Sequence, residues 1–68
     1  MKEFDLQNDY IELIKLLKLL RIAESGGHAK QIVEDNQVFV NGNLEKRKRA
    51  KIRSGDIVEV FDFTVKIK

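Results

Sequence analysis

An α+β domain is predicted, with a two-helix hairpin packed on a small, mostly antiparallel sheet. Three observations lead there. Leucines recur at three- and four-residue spacing early in the chain, and Ser25-Gly26-Gly27 then opens a second helical stretch. After Asn36 the pattern changes to two-residue alternation around Asn41-Gly42, a strong hairpin signal. The chain has 68 residues with no cysteine and no proline, so its only available staple is an apolar core, and 43% hydrophobic residues can supply one.

Residues 1–68 read as one domain without a linker or repeat. Lys2 to Leu6 alternate, with Phe4 and Leu6 on one side, which is a short strand signal. Asp9 is then expected to cap the first helix, with Glu12 three residues on to complete a capping box. Tyr10, Leu13, Ile14, Leu17 and Leu20 form the apolar stripe, Leu16 widens it, and the helix should stop near Arg21. Ile11 and Leu19 fall off the stripe and are expected to point sideways or outward. Lys-Leu-Leu-Lys-Leu-Leu also suits a membrane-surface helix, but so short a chain needs these leucines for its core.

Ser25 is suited to cap the second helix, with Ala29, Ile32 and Val33 inward and Asp35-Asn36 as the stop. Val38 and Val40 face inward on the next strand, leaving Phe39 outward. Leu44 starts the return, Ile52 anchors the segment after it, and Ser54-Gly55-Asp56 is a turn. Ile57–Val60 and Phe63–Lys68 are further strands, the latter with Val65 and Ile67 on one face.

Charge is segregated. Residues 1–45 carry five Lys or Arg against eight Asp or Glu, whereas residues 46–68 carry eight against three. Lys46, Arg47, Lys48, Arg49, Lys51 and Arg53 fall within eight positions, wedged between predicted strands, and nothing acidic lies among them. Such a run is often only a solvated loop. Held on a fold, its self-repulsion is relieved when an anion gathers it, which points to a polyanion partner. Ser25, Gly27, His28 and Lys30 form a second candidate anion site, where free amides and glycine would let a phosphate approach the backbone. Read alone, these residues are better explained as a capped helix start after a turn. Phe39, Phe61 and Phe63 could stack on bases or simply cover the sheet.

Other classes lack parts. One histidine, scattered carboxylates and little room for a pocket offer no catalytic constellation. No metal site is expected from a lone His28 without cysteine, and no cofactor is called for. No run approaches a membrane span and no signal peptide opens the chain, so a cytoplasmic protein is expected.

With these residues in order, Tyr10 to Val60 resembles the RNA-binding domain named after small-subunit ribosomal protein S-four. Ser25-Gly26-Gly27-His28-Ala29 lies where that family has Ser-Arg-x-x-Ala opening its second helix. Val38-Phe39-Val40-Asn41-Gly42 matches its valine strand and hairpin, and Ser54-Gly55-Asp56-Ile57-Val58 its Gly-Asp turn. Small stand-alone members, of the YbcJ and YaaA kind, are more similar still, in Glu24-Ser25-Gly26-Gly27, Ala29-Lys30-Gln31 and Arg47-Lys48-Arg49-x-Lys51-Ile52. The resemblance implies the alpha-L RNA-binding motif, with the second-helix opening and the basic run on one face. It implies structured RNA as partner, with a ribosome or its precursor as the setting, and a monomer is expected. Gly26 stands where the wider family has arginine, removing one phosphate contact. Asn36 replaces the usual glycine, which its tolerance of left-handed backbone accommodates.

The expected function is therefore recognition of structured RNA, ribosomal RNA or another ribosome-associated RNA, by phosphate positions. The alternative is a protein-interaction module in which the sheet, or Ile11, Leu19 and Phe39, docks on a larger assembly. DNA binding ranks third, because no helix reads as a base-reading recognition helix.

Overall fold

The computed structural model describes residues 2–68. Its elements are β1 (Lys2–Phe4), β2 (Ile11–Glu12), α1 (Leu13–Leu19), α2 (Gly26–Glu34), β3 (Val38–Val40), β4 (Asn43–Leu44), β5 (Lys51–Ile52), β6 (Ile57–Val60) and β7 (Phe63–Ile67). Five strands form one sheet in the order β1-β7-β6-β3-β4, in which only β1–β7 is parallel. The other two, β2 and β5, make a separate antiparallel pair. The α+β class and the mostly antiparallel sheet stand as predicted.

Burial follows the two periodicities. Leu13, Leu16 and Leu17 of α1 meet Ala29, Ile32 and Val33 of α2, and both meet Val38, Val58, Val60, Val65 and Ile67 on the inner sheet face. Each of these side chains is at most 3% exposed, so the leucine stripe is core material and not a membrane-facing surface. No helix among the described residues is long and apolar enough to cross a membrane.

Both helices end in the same way. Arg21 and Asn36 adopt left-handed backbone, at φ of 61° and 60°. The amides of Arg21 and Ile22 then reach back to the carbonyls of Lys18 and Leu17, and those of Asn36 and Gln37 to Val33 and Ile32. These are two complete Schellman closures. Asparagine tolerates that conformation readily, so the Asp35-Asn36 stop was legible; arginine does so at a cost, and only the end of the apolar stripe marked Arg21.

The start of α1 differs from expectation. The helix begins at Leu13, not beside Asp9, and its N-cap Glu12 makes no side-chain capping bond. Ile11 and Glu12 are extended and pair with Ile52 and Lys51. The first amides of α1 are satisfied by distant carbonyls instead: Leu13 N–H donates to Ala50 at 2.9 Å and Ile14 N–H to Lys48 at 3.2 Å. Ile11 is consequently buried rather than outward, whereas Leu19 is 56% exposed as its position implied. Tyr10, predicted to open the stripe, lies before the helix and is 40% exposed.

Candidate functional site

The basic segment is held at both ends and in the middle. Just before it, the Glu45 amide donates to the Val38 carbonyl at 2.9 Å. Within it, Ala50 is buried and its carbonyl, with that of Lys48, caps α1. Ile52, 1% exposed, pins β5 into the core, so Lys51 and Arg53 on either side of it project outward together. At its far end Asp56 closes the chain. One carboxylate oxygen accepts the Arg53 amide at 2.8 Å, and the other accepts Asn41 Nδ2 at 3.0 Å. Asn41 Oδ1 in turn accepts the Ile57 amide at 2.9 Å, and its own amide donates to the Ile57 carbonyl at 2.8 Å. Asn41-Gly42 is a two-residue hairpin loop with φ of 53° and 84°, both positive as a type I′ turn requires. The asparagine therefore performs two tasks: it turns β3 into β4, and it ties that turn to the Gly55-Asp56 turn that ends the basic segment.

The six cations are not equivalent. Arg47 forms a fork on Glu45, with Nε at 3.1 Å and Nη2 at 3.3 Å, and its amide donates to the same carboxylate. These bonds from Arg47 hold the Glu45 carboxyl below its ordinary range, against a smaller opposing effect of burial. Lys48 pairs with Glu34 at 3.5 Å. Among the described residues, no carboxylate oxygen lies within 4.0 Å of the side-chain nitrogens of Lys46, Arg49, Lys51 or Arg53, and all four residues are exposed. The sequence showed no acid inside the run, but Glu45, immediately before it, neutralises one member and Glu34 another. Glu45 lies two residues from Arg47 and was the available signal; Glu34 gave none.

At the other candidate site, Ser25 caps α2 as predicted, with its Oγ accepting the His28 amide at 3.1 Å. The His28 ring completes a reciprocal cap, for its Nδ1 accepts the Glu24 amide at 3.0 Å. This is a variant of the capping box, with histidine in the place of the usual glutamate and its bond made to the amide one residue before the N-cap. With Nδ1 accepting, the neutral ring carries its proton on Nε2, which leaves that N–H as the outward donor. Gly26 and Gly27 occupy the first helical turn without positive φ. A Cβ at Gly26 would meet nothing within 4 Å, and one at Gly27 only Ser25 Oγ at 3.9 Å. The fold does not require either glycine. Lys30 is exposed on the same helix.

No side-chain hydrogen bond or ion pair joins the two candidate sites among the described residues. The basic segment touches α2 through Lys48 and Glu34, the last helical residue, whereas Ser25, Gly27 and His28 open the helix. The eight residue steps between Gly26 and Glu34 amount to about 12 Å along the axis. α2 links the two, with Lys30 one helical turn before the Glu34 that pairs with Lys48. No group of three or more metal-ligating side chains occurs among the described residues.

With this geometry in view, comparison with known proteins is decisive about descent. The S4 domain model matches residues 4–68. The chain belongs to the S4 domain family. YbcJ of Escherichia coli (strain K12) is 40% identical over 61 residues, covering 90% of this chain and 87% of YbcJ. RlbA of Bacillus subtilis (strain 168), named a "probable ribosome maturation protein", is 34% identical over 58 residues, covering 85% of this chain and 82% of RlbA. The solution structure of Escherichia coli YbcJ superimposes with a TM-score of 0.75 over 98% of this chain and 86% of that one, and is described as revealing an αL motif involved in RNA binding. The S4 fold and the likeness to small stand-alone members, both expected from the motifs, are therefore confirmed.

Proposed function

We propose that this S4 domain protein binds structured RNA, reading phosphate positions and not base sequence. The observation that carries this is the fixed basic segment, where four exposed cations have no carboxylate partner and the backbone between them is anchored at both ends. Such a segment has already met much of the ordering cost of binding, so an incoming phosphate row meets cations near their bound positions. The deep, narrow major groove of A-form RNA resists base reading and favours recognition of this kind. That YbcJ is described by an RNA-binding motif, and RlbA by ribosome maturation, supports RNA as partner and ribosomal RNA or its precursor as the class to test first.

Ser25, Gly27, His28 and Lys30 supply the second contact. Glycine in a helical turn costs about 0.5–1 kcal/mol relative to alanine. The fold shows no steric or φ requirement that offsets this at Gly27, so close approach of a phosphate to the backbone explains it. Ser25 works through the cap it forms; the Gly27 amide and His28 Nε2–H are the donors that face outward. Arg47 and Lys48 belong to the surface as shared cations, whose carboxylates lower the charge they present. We place the protein in the cytoplasm as a monomer that engages a larger ribonucleoprotein.

A labelled RNA hairpin and a matched DNA duplex, titrated by fluorescence anisotropy, test the proposal. Wild type should prefer the RNA. Replacing Lys46, Arg47, Lys48 and Arg49 by glutamine should weaken all RNAs similarly. Selective loss of one RNA sequence, or equal affinity for the DNA, would contradict phosphate-led RNA recognition.

One observation favours a second reading, docking on a protein. Phe39 and Leu44 are directly paired across β3 and β4 on the outer sheet face and stay 40% and 39% exposed. Failure of complex formation on changing both to serine, with RNA affinity intact, would support it. Ile11, expected on this surface, is buried and drops out.

A further inference from the structure

Tyr10 is an aromatic ring without a place in the core. It is 40% exposed, whereas its neighbour Ile11 is buried, and it is absent from the partly buried apolar residues that pack on the core. It faces the basic segment instead. Lys51 Nζ lies 5.0 Å from the ring centroid and Arg53 Cζ 5.9 Å. The strand register explains the meeting. Ile11 pairs with Ile52 and Glu12 with Lys51, so the next position outward sets Tyr10 opposite Arg53 and diagonal to Lys51. Both cations belong to the four that have no carboxylate partner among the described residues.

We propose that Tyr10, Lys51 and Arg53 form a seat for a single unpaired nucleotide, its base stacked on the ring and its phosphate held by the two cations. This rests on the RNA-binding reading and narrows it to structured RNA that presents a bulged or looped nucleotide beside a helix. Cation–π contacts at exposed sites are weak, so they gather the two cations near the ring without locking them there. A phosphate draws the cationic heads aside, and the ring face they leave is apolar and flat, as a base requires. Bases inside a continuous A-form helix are stacked on one another and cannot reach such a ring, so the occupant has to be unpaired. The ring sits directly before β2, which is paired to the basic segment, so the base site and the phosphate site are held at fixed spacing.

The test uses two RNA hairpins of equal length and charge, one fully paired and one carrying a single bulged 2-aminopurine. Each is titrated with wild type, Tyr10→Phe and Tyr10→Leu, after circular dichroism has shown that all three are folded. Wild type and Tyr10→Phe should bind the bulged hairpin about tenfold more tightly than Tyr10→Leu does. They should also quench the 2-aminopurine emission, while all three proteins bind the paired hairpin alike. Equal affinity and equal quenching with Tyr10→Leu would overturn the seat and leave RNA binding intact. No binding of either hairpin by wild type would overturn the RNA reading itself, and this inference with it.

Discussion

The α2 opening and the basic segment are both candidate anion sites, but they are built differently. At the α2 opening everything that matters lies within five residues: Ser25 Oγ and the His28 ring satisfy the amides of His28 and Glu24. In the basic segment the fixing contacts come from far along the chain, through Leu13 and Ile14 and through Asn41, which holds the Asp56 carboxylate that accepts the Arg53 amide. A locally closed site forms with its helix. A site closed at long range exists only when the whole domain is folded, so its charges are presented as a set or not at all.

The contrast predicts unequal consequences. The largest concerns affinity. Replacing Lys46, Arg49, Lys51 and Arg53 by glutamine should reduce RNA affinity on the order of a thousandfold at 0.1 M salt, since each phosphate contact is worth about five- to eightfold there. Anisotropy titrations measure this, and the α2 cap should leave the variant's helix content unchanged by circular dichroism.

Next comes the clip. Asp56→Ala removes the acceptor for both the Arg53 amide and Asn41 Nδ2, and should cost about 1–3 kcal/mol of stability in urea unfolding. Because it frees the end of the basic segment, it should also weaken RNA binding although it removes a negative charge. Tighter binding would show that net charge matters more than geometry.

At the α2 opening the expected effects are smaller and of opposite sign. Ser25→Ala should cost about 1 kcal/mol because the cap is removed. Gly27→Ala should instead stabilise by about 0.4–1 kcal/mol, since no positive φ or close contact opposes it, while weakening RNA binding. A Gly27→Ala protein that is both more stable and equally tight on RNA would remove this position from the interface.

The smallest effect is a pH dependence. The Glu45 carboxyl is held below its ordinary range by Arg47, so folding favours its ionised form. The resulting stability is present above the ordinary carboxylate range and lost as pH falls through the lowered value. Glu45→Gln should therefore be slightly less stable than wild type at neutral pH, and the gap should close in acid. Urea midpoints measured across that range provide the check.

The same division decides what the sequence revealed. Ser25, Asn36, Asn41-Gly42 and Gly55-Asp56 were legible because each meets a backbone requirement within a few residues of itself. The start of α1 was not, because its amides bond to Ala50 and Lys48, more than thirty residues away. Asp9 and Glu12 have the spacing of a capping box, but pairing of Ile11 and Glu12 with β5 outcompetes it. Tyr10 was misplaced for the same reason, since helical spacing carries on in the sequence past the point where the backbone has become extended. Among the cations, the charge count located the basic segment and Glu45 beside Arg47 signalled one pairing, but only the fold shows that Lys48 meets Glu34. This separates the two paired cations from the other four.

That separation is tested most directly by the salt dependence of RNA affinity. Wild type would be compared with two double variants, Lys51→Gln with Arg49→Gln and Arg47→Gln with Lys48→Gln. Removing one cation–phosphate interaction should flatten the slope of log affinity against log salt by about 0.7–0.9. The first double variant should show about two such increments and the second clearly less, because Glu45 and Glu34 already compete for its charges. Equal flattening in both would mean that the segment acts as undifferentiated positive charge, and that the fixed geometry described for it does not govern binding.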